Sequence, residues 1–202
     1  MGLPQYGTMT DDAFMDWVSG KTGRYEFVNG FPLELMAKAK QDHAVAASNI
    51  LTALSPSAKR SGCRATGSDT YVKAGGNRRL PDVVVDCGPR DPNATHAITP
   101  TVIVEVLSDS TNAIDHTDKL DDYRSHPDIK VVFLVDPMSV SVKVYRRLAD
   151  ATWAPEKYED LAEVIPLPEI DTSLAMSDIY DTLEPKLRFR TVAPTDSAGP
   201  EA

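Results

Sequence analysis

The chain has 202 residues, of which 42% are hydrophobic and 25% charged, proportions that suit one domain with a core of its own. No run approaches the roughly 18 apolar residues of a membrane span, and residues 1–10 hold no basic segment leading into an apolar one, so neither a membrane protein nor a secretory leader is expected. A formal net charge of -9 argues against a chain that is basic overall and coats nucleic acid.

In chain order, Thr10 before Asp11 and Asp12, followed by Phe14, Met15, Trp17 and Val18, predicts a capped amphipathic helix ending near Gly20. Tyr25-Glu26-Phe27-Val28 and Phe31-Pro32-Leu33-Glu34-Leu35 flank Asn29-Gly30. That dipeptide predicts a tight hairpin, because both turn positions need positive φ. Gln41 to Arg60 reads as a long helix, with His43, Ala47, Ile50, Leu51, Leu54 and Ala58 on one face and Gly62 past its end. Short strands are expected at Cys63–Thr66 and Asp69–Lys73, then a turn at Gly75-Gly76-Asn77, and one strand from Leu80 to Cys87. The Pro/Asn/Asp-rich stretch from Gly88 to Pro100 is a loop.

Thr101 to Leu107 is apolar except for Glu105, the pattern of a central strand covered on both faces. Asn112 to Ser125 reads as a helix, and Lys130 to Val135 and Ser141 to Arg147 as strands joined at Asp136-Pro137. Beyond Trp153 the pattern supports a strand near Lys157-Tyr158 and a short helix at Ser177–Leu183. One α/β domain over 1–190 is expected, a central mixed sheet flanked by helices with hairpins at its start and end, followed by a disordered tail, 191–202. Cys63 and Cys87 lack CxxC spacing or a partnering histidine pattern and read as buried thiols rather than zinc ligands or a disulfide; the expected location is cytoplasmic.

Charge is uneven along the chain. From Lys38 to Arg79 eight basic residues, among them Lys38, Lys40, Arg78 and Arg79, meet only Asp42 and Asp69. Such an arm beside an acidic remainder can steer a phosphate backbone to one face, although a solvated helix and loop surface has the same composition.

Two segments carry the chemistry. Leu80-Pro81-Asp82-Val83-Val84-Val85 and Val102-Ile103-Val104-Glu105-Val106-Leu107-Ser108 each hold one carboxylate in an apolar strand. A carboxylate in a sheet centre is costly unless a cation or hydrogen-bond donors compensate it. Two such groups on neighbouring strands can share one divalent ion, and oxygen ligands select Mg²⁺ or Mn²⁺. Each acid alone could instead sit at a strand end, reaching solvent or an arginine. On the next helix Asp115, Lys119 and Tyr123 share a face at four-residue spacing. Lys119 there can polarise a water or offset charge on a phosphoryl group; the same spacing also fits a surface Asp115–Lys119 pair with Tyr123 on the sheet.

Taken together, Tyr25-Glu26-Phe27-Val28-Asn29-Gly30, the Met36-to-His43 stretch, Pro81-Asp82, Glu105-Val106-Leu107-Ser108, the Asp115…Lys119…Tyr123 helix and Val132…Val135-Asp136 resemble the Uma-two family. That family comprises restriction-endonuclease-like proteins of the PD-(D/E)xK nuclease superfamily, and the resemblance runs from about Tyr25 to the Ser177–Leu183 segment. It implies a restriction-endonuclease-like fold, metal binding by Asp82 and Glu105, and Mg²⁺- or Mn²⁺-dependent hydrolysis of DNA by a homodimer. The superfamily's usual lysine lies two residues after the acid, where this chain has Leu107; the Uma-two lysine lies on the following helix and matches Lys119. His43 and Glu26 match a family histidine and acid that could line the pocket as a ligand, a water-positioning group or a phosphate contact, and Tyr123 belongs to the same pocket. Two other functions fit the residues: a catalytically inactive dimeric binding or regulatory module, and a metal-dependent hydrolase of a small phosphoester.

Overall fold

A computed structural model describes residues 7–35, 40–108 and 113–187, with only the backbone described for 113–116. Residues 36–39 of the Met36-to-His43 stretch, Lys38 among them, the side chain of Asp115 and the expected disordered tail lie outside the described residues.

Thr10 caps α1 (Asp11–Val18), its hydroxyl accepting the Ala13 N–H at 3.2 Å. Phe14 on this helix is fully buried and stacks on Phe27, which anchors the helix on the first hairpin. Strands β1 (Tyr25–Val28) and β2 (Phe31–Glu34) turn at Asn29 and Gly30, whose φ angles are 52° and 87°. The long helix is α2 (Gln41–Arg60), and it buries Ala46, Ile50, Leu54 and Ala58.

Strands β3 (Arg64–Gly67), β4 (Val72–Ala74), β5 (Asn77–Arg79), β6 (Val83–Asp86) and β7 (Pro100–Val106) follow, then α3 (Ala113–Ser125), β8 (Val131–Asp136) and β9 (Ser141–Arg147). The chain continues through β10 (Trp153–Tyr158), the β11 (Val164–Leu167)–β12 (Thr172–Ala175) hairpin and α4 (Met176–Ile179). The central sheet has the order β10-β9-β8-β7-β6-β3, with β7 and β8 parallel and every other pair antiparallel. It is therefore mixed, as expected. A second sheet, β2-β1-β5-β4, stands beside it.

All seven residues of β7 are buried. Side chains alternate across a strand. On β7, Val102, Val104 and Val106 join the cluster under α2, whereas Ile103 joins Leu120 and Tyr123 of α3. Glu105, two residues after Ile103, shares the α3 face. That parity aims the central carboxylate at a helix.

Two expectations need correction. The strand expected from Leu80 to Cys87 is shorter, because the chain changes sheets at Leu80–Asp82. Pro81 has no N–H to donate to a ladder, and the Leu80 N–H goes to the Glu26 carboxylate at 3.0 Å. The cysteines are also not free thiols: Cys63 and Cys87 form a disulfide. Antiparallel pairing of Arg64 with Asp86 sets the residues just outside that pair opposite each other, with Cα atoms 4.1 Å apart. Such a bridge persists in oxidising surroundings and is reduced in a typical cytosol. No helix among the described residues is long and apolar enough to cross a membrane.

The bridge closes a loop between residues 24 apart, for which chain entropy gives about 3 kcal/mol. Cys63→Ser is expected to lower the unfolding free energy by about that amount in urea titrations. Adding reductant to the wild type should reproduce the shift; an unmoved midpoint would mean that the bridge contributes nothing.

Candidate metal centre

The two acids come together through backbone register. Pairing of Val83 with Val104 continues past the end of β6, where the Asp82 N–H donates to the Val104 carbonyl at 3.0 Å. Asp82 Oδ2 in turn accepts the Val106 N–H at 2.8 Å. Asp82 is thus fastened to the peptide groups on either side of Glu105.

Its Oδ2 also lies 3.3 Å from His43 Nε2, contributed by the first turn of α2. The hydrogen bond to Asp82 is the main reason that His43 is held protonated to higher pH than an ordinary histidine; burial opposes this, and the charges of Asp82 and Glu105 reinforce it. At that distance the ring Nε2 is placed to donate to Asp82. His43 therefore sits at the site as a partner of the acid.

Glu105 is 5% exposed. Tyr123 Oη donates to its Oε1 at 2.6 Å, and Lys119 Nζ lies 3.5 Å from its Oε2. Both donors come from α3, one helical turn apart, as their four-residue spacing required. Burial pushes the Glu105 carboxyl up to about 7, and the charges of Asp82 and Glu26 push the same way, while Lys119 and the Tyr123 hydroxyl hold it down. The Tyr123 hydroxyl is itself pushed up, first by burial and then by the Glu105 charge, so it stays a donor.

Behind this pair lies a second buried acid. Glu26 of β1 has no exposed surface, and its Oε1 is 3.0 Å from Lys119 Nζ. Its Oε2 accepts Arg79 Nη1 at 3.0 Å. Arg79 reaches Asp122 Oδ2 through Nε at 2.7 Å, and Asn77 donates to the same oxygen at 2.8 Å. Despite burial, Glu26 and Asp122 keep the Arg79 guanidinium firmly protonated.

The structure corrects the expectation for Arg78 and Arg79 as contacts for a phosphate backbone. They are 4% and 1% exposed, and Arg78 pairs with Asp11 as Arg79 does with Glu26 and Asp122. The run of basic residues looked like a surface because the acids that neutralise it lie far away in the chain. Lys40 instead stands at the N-cap of α2, beside a cavity of about 20 Å³ that His43, Leu107 and Ser108 also line. Arg79, Asp122 and Asn77 were missed as members of the network around the site. Only the placement of Asp122 on α3, one residue before Tyr123, offered a signal.

Among the described residues no three His, Cys, Asp or Glu side chains converge as a metal cage. The donor set nevertheless fits a hard divalent cation of the magnesium type, which takes one or two carboxylates and fills its remaining positions with water and substrate phosphate. The elevated Glu105 carboxyl is a physical sign in the same direction, since a cation beside it would offset the charge that burial penalises.

Residues 11–177 match the family Uma2, described as "Putative restriction endonuclease". A protein of Synechocystis sp., described as "Uncharacterized protein slr1290", is 28% identical over 175 residues, which span 85% of this chain and 91% of that protein. Among solved structures, a "putative nuclease belonging to DUF820" from Anabaena variabilis superposes with a TM-score of 0.69 at 20% identity. The superposition covers 85% of this chain and 97% of that one, and establishes the shared restriction-endonuclease-like fold.

Removing the Tyr123 hydroxyl deprives the buried Glu105 of its shortest hydrogen bond. Tyr123→Phe is expected to cost about 1–3 kcal/mol of stability and to move the Glu105 titration above its value of about 7. Urea unfolding and carboxyl ¹³C NMR check the two effects.

Proposed function

This chain belongs to the Uma2 family, and on that premise we propose that it is a divalent-metal-dependent nuclease that hydrolyses phosphodiester bonds of DNA. The observation that carries the reading is the side-by-side placement of Asp82 and Glu105 with Lys119 reaching the second acid. Asp82 and Glu105 would hold Mg²⁺ or Mn²⁺. A bound divalent ion there supplies Lewis-acid polarisation of a phosphoryl oxygen and lowers the pKa of water.

The chain's own residues divide the remaining tasks. His43 orients Asp82 through its Nε2 contact. Lys119 carries an ammonium to where negative charge builds up on phosphorus, a role in which one lost donor typically costs about 10²–10³-fold in rate. Tyr123 fixes the rotamer of Glu105. Lys40, which lines the small cavity with His43, is a candidate contact for a phosphate backbone. A homodimer would supply one such site for each strand of a duplex.

Asp82→Ala and Glu105→Ala should each reduce metal-dependent cleavage of a DNA panel to background, and Lys119→Met should reduce it by about 10²–10³-fold. Mn²⁺ affinity, read by electron paramagnetic resonance, should rise with pH through the Glu105 value of about 7, because only the ionised carboxylate ligates. Cleavage that survives loss of both acids would overturn the proposal. The burial of Arg78 and Arg79 also supports a second reading, hydrolysis of a smaller phosphoester, because it leaves less basic surface for a long duplex. Salt-insensitive turnover of nucleotides without DNA binding would select that reading.

A further inference from the structure

Lys119 is carried on α3 and not on the strand of Glu105, so β7 does not fix where its flexible stem ends. Something else must aim it. Its ammonium lies nearer to Glu26, at 3.0 Å, than to Glu105, at 3.5 Å. Glu26 is in turn immobilised from three directions: by Lys119 and the Leu80 N–H on Oε1, and by Arg79 on Oε2. Arg79 is held by Asp122, three residues beyond Lys119 on the same helix. The lysine, its anchor and the anchor's brace therefore form a closed circuit between β1, β5 and α3.

From this geometry we infer that Glu26 is a positioning residue for Lys119, drawing the ammonium off Glu105 and fixing it between the two acids. The inference rests on the nuclease reading for its catalytic consequence, but not for the placement of the lysine. Without Glu26, the ammonium loses its nearer carboxylate and shifts toward Glu105, where it neutralises the carboxylate that must face a cation and leaves the place where phosphoryl charge develops. Glu26 touches no reacting atom in this scheme; all of its effect passes through Lys119.

A double-mutant cycle with Glu26→Gln and Lys119→Met tests this in the full-length protein. Glu26→Gln is expected to lower kcat for DNA cleavage about 10- to 100-fold, the usual effect of losing a supporting partner, with KM for DNA unchanged. In the Lys119→Met background the same substitution should have no further effect. Losses that multiply in the double variant would overturn the inference. Glu26→Asp keeps the buried charge but withdraws the carboxylate by one methylene, and serves in the same cycle where Glu26→Gln does not fold. A second readout needs no turnover: amine labelling followed by mass spectrometry. Labelling of Lys119 should rise several-fold in either Glu26 variant relative to exposed Lys143. Unchanged Lys119 labelling in a folded variant overturns the placement. If the wild type cleaves nothing while Lys119 labelling rises, the nuclease reading falls and the positioning of the lysine stands.

Discussion

A single carboxylate near the end of a fully buried strand sets the terms for the structure around it. Glu105 interrupts β7, whose other residues pack on both faces of the sheet. An ionised group there costs several kcal/mol unless it is compensated. Tyr123 and Lys119 supply that compensation from one face of α3. Yet Lys119 is itself a buried charge, and Glu26 answers it; Arg79 answers Glu26, and Asp122 answers Arg79. The chain of compensation ends at Asn77, whose amide bonds Asp122 on one side and the Asn29 N–H on the other. The tight hairpin turn and the central sheet are thereby parts of one electrostatic arrangement.

The two central acids are held by different means. Asp82 is fastened to β7 by hydrogen bonds with main-chain groups. Glu105 depends on side chains brought from another element. One acid is fixed by backbone register, while the protonation of the other responds to whatever stands beside it.

Local signals in the sequence were reliable where the responsible contacts are local. Asn29-Gly30 announced its turn, the periodicity of Gln41–Arg60 its helix, and the apolar run around the lone acid Glu105 marked β7 as a buried strand. Lys119 and Tyr123 were legible because a helix places every fourth residue on one face. What escaped were consequences of long-range register. Nothing near Cys63 indicates that β3 will lie antiparallel to β6 and present Cys87 opposite it. Arg78 and Arg79 looked like an exposed basic pair because Asp11, Glu26 and Asp122 are remote in the chain. The β11–β12 hairpin also went unread, since Pro166 interrupts its first strand and its polar positions carry little alternation.

The circuit from Glu26 through Arg79 to Asp122 spans separations of 53 and 43 residues. Contacts so distant along a chain form slowly, after shorter loops have closed. A ribosome releases β1 long before it makes α3, so a growing chain carries the acid of its first hairpin with no lysine to receive it. The network around Lys119 is therefore incomplete until α3 has been made. It closes only when the first hairpin meets the helix that follows β7.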